Sequence, residues 1–173
     1  MVRFLKESCF YFNMEELFTF TRDFGLFRKY LADHCEFNDC CMNDDENSLE
    51  LLRQDLETGN VDYVICNPDS NLGPGYIRIL NLEEGVGAFD IFFPRNISLH
   101  IPSLFDILSE KGYDIVYFNN SHPLVQANVG EIEDSYGVTF DSESVDIRVP
   151  NLNYTKHFKE SGHYDVIDLM DLE

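Results

Sequence analysis

Carboxylates with aromatic rings among them are the residues of this chain whose types and spacing point to a task. Glu131, Glu133 and Asp134 are followed by Asp141, Glu143 and Asp146, with Tyr136 and Phe140 between them. In a strand, alternate residues point the same way, so Asp141 and Glu143 line one face. Such a mixture suits a protein interface, where rings carry affinity and charges set association rate and specificity. A second acidic group, Asp44, Asp45 and Glu46, precedes an apolar run. The candidate partner-binding set is therefore Glu131, Glu133, Asp134, Tyr136, Asp141, Glu143, Asp146, Asp44, Asp45 and Glu46.

Other chemistries lack the spacing they need. His34, Cys35, Cys40 and Cys41 lie close together, but a zinc site wants C-x2-C and a second ligand pair, and here the spacing is C-x4-C-C with no second cluster. The stretch Asn43 to Asn47 lacks the alternating oxygen register, the Gly and the distal Glu of a calcium loop. Gly73-Pro74-Gly75 and Gly85-Val86-Gly87 read as hairpin turns, since neither opens a helix carrying Lys-Ser or Lys-Thr and neither is G-x-G-x-x-G. Cys9 or Cys66 could be set beside His100, His122, His157 or His163, but no nucleophile elbow supports such a pair. With 32 acids in the chain, paired carboxylates carry no information. The expectation is no catalytic residue, no metal, no cofactor and no enzymatic activity.

The charge balance is the strongest property. Thirty-two Asp and Glu face 12 Lys and Arg, a formal net charge of −20 in 173 residues. An apolar fraction of 44% and an aromatic fraction of 14% mark a folded body rather than an acidic tail. Few Lys and Arg are available to displace counterions, so direct binding to nucleic acid or to an anionic membrane is excluded. The charge is uneven. Residues 1–30 hold five bases and four acids, so the remaining residues carry −21. The densest stretches are Asp33 to Asp62, with ten acids and one base, and Glu131 onward, with eleven acids and three bases. Five scattered cysteines, no apolar run long enough for a membrane span and no signal-peptide pattern point to a reduced, cytoplasmic protein.

The elements that must position these residues read as α+β, a mainly antiparallel sheet packed with two to three helices in a single domain. Residues 2–12 read as a first strand. Asn13 then caps a helix to about His34 through Leu17, Phe20, Phe24, Phe27 and Leu31. A second helix runs from Asn47 or Ser48 to Gly59, and a third from Leu104 to Lys111, closed by Gly112. Asp62–Cys66, Tyr76–Leu82 (with one solvated face) and Val86–Phe93 suggest an antiparallel meander, and Tyr113–Phe118 is a buried-type strand. Phe140 and Val145–Val149 are weaker strand candidates, and Asp165–Leu172 reads as a terminal helix or an edge strand. The nearest thing to a domain boundary is residues 119–130.

The function this supports is a small acidic, non-catalytic inhibitor that covers a basic partner protein. An immunity protein against a nuclease toxin is the first reading, because opposite fields speed association. A DNA mimic of the anti-restriction or anti-CRISPR kind is the second. It would occupy a DNA-binding enzyme with a long row of carboxylates, whereas an immunity protein needs a compact patch with aromatic anchors. The third is an enzyme, which requires a concave pocket with convergent polar groups.

Overall fold

A computed structural model describes residues 17–34, 46–67, 75–92, 101–119, 133–134, 141–147, 152–155 and 161–172. Within them, helices α1 (Phe24–His34), α2 (Glu46–Glu57) and α3 (Ile101–Glu110) pack on a seven-stranded sheet. Its strands are β1 (Phe18–Thr21), β2 (Val61–Cys66), β3 (Gly75–Glu83), β4 (Val86–Phe92), β5 (Ile115–Asn119), β6 (Asp141–Asp146) and β7 (Ser161–Asp168). Their order across the sheet is β1-β2-β3-β4-β5-β7-β6. Every neighbouring pair is antiparallel except β4 with β5. The α+β class read from the sequence is the class of the fold. β5 precedes residues 120–130 and β7 follows them, and the two strands pair from Ile115↔Asp168 to Asn119↔Tyr164.

The helices form where apolar residues recur at 3–4 spacing, and α2 and α3 stop just before the left-handed glycines Gly59 and Gly112. α3 ends in a turn through Lys111 and Gly112, whose φ of 97° is a left-handed value that suits glycine. The Tyr113 N–H then donates back to the Leu108 carbonyl at 3.0 Å, which aims the chain straight into β5.

Three expectations are corrected. Phe18–Thr21 is a strand, not part of the first helix. Its aromatic–threonine alternation is a strand pattern, but Phe20 also fits the 3–4 spacing of Leu17, Phe24 and Phe27, which hides it. Asp23 caps α1: its Oδ1 accepts the Leu26 N–H at 3.2 Å, and Thr21 Oγ1 accepts the Asp23 N–H at 2.9 Å. The strand read over residues 2–12 and the cap at Asn13 lie outside the described residues. Second, β3 has no solvated face along Gly75–Leu80. Tyr76 and Leu80 pack with Phe27, Leu31 and Leu52 of α1 and α2. Ile77 and Ile79 pack with Leu104 and Leu108 of α3 on the other side. Third, β7 is an interior strand between β5 and β6, and only Leu169–Leu172 turns into a short 3-10 helix.

Buried charge fastens the irregular segment 152–155 to this body. Asp55 on α2 has no exposed surface. It accepts the Asn153 N–H at 2.7 Å, the Asn153 Nδ2–H at 2.9 Å and the Tyr154 N–H at 2.8 Å. Arg78 on β3 is equally buried. Its Nη2 donates to the Tyr154 carbonyl at 2.8 Å, and its guanidinium carbon lies 5.2 Å from the Tyr154 ring centre. An acid and a base from two elements thus hold one tyrosine from both ends.

Three outcomes follow from this packing. Asp55→Ala strands three donors and lowers the unfolding free energy by about 3 kcal/mol, read from the urea midpoint; Asp55→Asn, which keeps an acceptor, costs less. An unchanged midpoint for Asp55→Ala would show that the clamp does not hold the segment. Gly87→Ala on β4 places a Cβ 2.7 Å from Ile79 Cγ2 and 2.8 Å from Tyr113 Cε1. Overpacking of this kind costs roughly 1–3 kcal/mol in the same assay; a stability equal to wild type contradicts the contact. Cys66 is buried, and burial pushes its thiol from 9.0 up to about 12. The native state therefore holds the proton more tightly, so this group's contribution to stability is full below pH 9 and fades as pH climbs toward about 12. Mass spectrometry after a thiol reagent at neutral pH should find the Cys66 peptide unlabelled in the native protein and labelled in urea. Equal labelling in both would contradict its burial.

Candidate functional site

β4 and β5 run parallel from Val86↔Ile115 to Phe89↔Phe118. On its other side β4 changes register against β3, since Ile79 opposes Phe89 while Arg78 opposes Ile91. Asp90 is therefore an extra residue. A bulge bends its strand and re-aims side chains, and bulges concentrate beside functional sites. The bulge falls one residue after the last pairing of β4 with β5, and Ile91 and Phe92 keep only β3 as partner among the described residues. The parallel pairing thus stops at Phe89↔Phe118, toward the carboxyl ends of both strands.

A parallel pair needs a crossover connection, and α3 supplies it. The first turn of α3, which follows the end of β4, contains no acidic residue. Its acids Asp106 and Glu110 lie further along, where burial and then the Glu110 charge raise the Asp106 carboxyl. The first turn of α3 thus supplies no acidic side chain of its own to the positive end of the helix dipole.

At the amino end of the same pair sits a buried polar network. Asp62 on β2 is fully buried. It receives Arg22 Nε at 2.7 Å and Nη2 at 3.2 Å, Asn81 Nδ2 at 3.1 Å and the Tyr113 hydroxyl at 2.6 Å. The Tyr113 hydroxyl also faces Asn81 Oδ1, so its single proton meets two acceptors. Burial, then the Asp62 charge, pushes the Tyr113 phenol above its ordinary range. Beside the network, the Phe20 ring has two cations within reach, Arg22 at 5.4 Å and Lys111 at 5.5 Å from its centre.

The residues expected to bind a partner are described only in part. Asp44, Asp45, Glu131 and Tyr136 lie outside the described residues. Glu46 opens α2. Glu133 and Asp134 lie in a helical turn, half-buried and exposed respectively. Asp141, Glu143 and Asp146 all lie on β6, at the edge of the sheet, opposite Val166, Tyr164 and Ser161 of β7. Glu143 is exposed, and after burial its charge and that of Glu83 are what raise the Tyr117 phenol. The stretch Asp33 to Asp62 is less acidic on the surface than along the chain. Asp55 and Asp62 are interior, and Arg53 holds Glu50 and Glu57 on α2. His34 ends α1, Cys35, Cys40 and Cys41 fall outside the described residues, and Gly85 makes the β3–β4 hairpin turn with φ of 78°. Sequence reasoning missed the parallel pair, Asp90, Asn81 and Tyr113. The signal was present: strand, helix and strand follow one another from Val86 to Phe118, the mark of a parallel βαβ unit.

No protein-family model matches the chain, and no curated protein is significantly similar to it. Solved structures are. An acetyltransferase of the GNAT family from Staphylococcus aureus Mu50 shares 15% identity over 88% of this chain and 99% of its own, with a TM-score of 0.47. An N-acetyltransferase from the same organism shares 14% identity over 89% of this chain and 99% of its own, with a TM-score of 0.44. Two further matches, from Desulfovibrio desulfuricans and Chromobacterium violaceum, also carry an acetyltransferase description. No residue's role is carried over from any of them. The expectation of a non-catalytic acidic inhibitor, whether immunity protein or DNA mimic, is corrected here, and with it the expectation of no enzymatic activity. These four similar structures are described as enzymes and none as an inhibitor, and the acids on which that expectation rested are in part internal fastenings.

Proposed function

We propose that this chain is an acyltransferase that holds an acyl thioester donor where β4 and β5 part and passes the acyl group to a cationic amine. The observation that carries this reading is the single parallel pair of an otherwise antiparallel sheet, ended on the β4 side by the bulge at Asp90. Ligands of open sheets bind outside the carboxyl ends of parallel strands, where the strand order switches. The backbone of β4 beyond Phe89 offers hydrogen-bonding groups to an extended, amide-bearing arm, in the manner of an added strand. The amino end of α3, with no acidic side chain in its first turn, suits the anionic end of such a donor.

In the transfer, the reacting ammonium first gives up a proton to solvent, the neutral amine nitrogen so formed attacks the thioester carbonyl, the C–N bond forms and the C–S bond breaks. The amine proton is lost to solvent or base, and the thiolate leaves and is protonated. A backbone N–H at a bulge, aimed away from the ladder, is the kind of donor that stabilises the oxyanion. The net charge of −20 favours a positively charged acceptor, because a field of one sign raises the local concentration of the other. The surface carboxylates Glu133, Asp134 and Glu143 contribute to that field, and the partner-binding role of the acidic residues belongs to this proposal.

Acetyl-coenzyme A is the donor to test. Calorimetry should show binding with a Kd of about 10 μM, inside the range common for enzyme substrates; no heat at roughly 1 mM donor would overturn the reading. With acetyl-coenzyme A present, acyl transfer to a polyamine should slow as salt rises, whereas transfer to an uncharged amine should not. Equal salt dependence for both acceptors would remove the steering argument.

A further inference from the structure

Tyr113 stands two residues before β5, yet its hydroxyl meets Asn81 on β3 and Asp62 on β2. To get there its ring passes over β4 at Gly87, where a Cβ would come within 2.8 Å of it. One side chain entering β5 is thus fastened to the two strands beyond β4, and Arg22, just after β1, holds the same carboxylate. No hairpin sets the alignment of a parallel pair, so the angle between β4 and β5 depends on what holds the entry to β5. That entry is held by the Asp114 and Ile115 N–H groups on the Gly85 carbonyl, at 2.7 Å and 3.1 Å, by the Leu169 N–H on the Asp114 carbonyl at 2.7 Å, and, toward β2 and β3, by the Tyr113 hydroxyl. At the other end the pairing stops at Phe89↔Phe118 and Asp90 bulges. We propose that Tyr113 is a positioning residue: by hooking β5 to Asp62 and Asn81 across β4, it sets the angle at which the two strands part, and so the width of the crevice at their carboxyl ends. The inference deepens the acyl-donor reading, and its link to donor binding rests on that reading.

The test is Tyr113→Phe, which keeps the ring and removes the hook. Amide hydrogen exchange should accelerate about tenfold in peptides covering residues 86–92 and 115–119 and stay unchanged in α1 and α2. The Kd for acetyl-coenzyme A should rise about tenfold, with kcat at saturating donor unchanged. A uniform acceleration across the helices would mean that Tyr113 only stabilises the fold, and no acceleration would mean that it sets nothing; either overturns the proposal. A loosened pair with an unchanged Kd overturns it as well. If the wild-type protein binds no acetyl-coenzyme A, the acyl-donor reading falls, and the exchange pattern alone decides for or against the hook. Should Tyr113→Phe fail to fold, Arg22→Ala loosens the same carboxylate from its exposed side and is expected to shift both readouts in the same direction by a smaller factor.

Discussion

The Asp62 carboxylate has no exposed surface, and a buried charge persists only where donors surround it. The donors come from three places: Arg22 after β1, Asn81 on β3 and Tyr113 before β5; the Asn81 amide also donates to the Gly59 carbonyl at 2.8 Å. Satisfying that one carboxylate brings β1, β2, β3 and the entry of β5 to a common end of the sheet. Gly87 is bare because the Tyr113 ring needs the space above it. The β4–β5 pair runs from that fastened end to Phe89↔Phe118.

The same logic divides the protein's acids into two populations. Asp55 and Asp62 lie inside, where each organises segments distant in the chain. Glu50 and Glu57 lie on the surface of α2, held by Arg53, and the Arg53 hydrogen bond draws Glu50 down to about 2. Exposed pairs of that kind add little stability. What remains exposed, Glu143 on the edge strand β6 among them, supplies the field of the molecule. Carboxylates on an edge strand also discourage pairing with another sheet. The acids of this chain therefore serve internal fastening and edge protection together.

The sheet shows how one exception creates a candidate site. An antiparallel meander from β1 to β4 has no reason to open. The crossover through α3 makes β5 parallel to β4, and β7 then inserts between β5 and β6. The bulge at Asp90 ends the parallel pairing while β3 still holds β4. Beyond that point β4 is secured by β3 and β5 by β7, each on its outer side.

Local information in the sequence determined the class, the helix ends at Gly59 and Gly112, and the runs that became β2 to β5. It did so because caps, turns and periodicity act over a few residues. It also determined the net charge. It did not separate Phe18–Thr21 from a helix, since Phe20 satisfies both periods and only pairing with Tyr63–Cys66 of β2 decides between them. It could not say which acids were interior, because Asp62 finds its donors 19 to 51 residues away and Asp55 finds Tyr154 at a separation of 99. Nor could it bury Arg78, which needs helices on both sides of β3 and Tyr154 beneath its guanidinium. Contacts between distant segments carry no trace in local pattern, and in this protein those contacts chose which carboxylates build the sheet and where its parallel pairing stops.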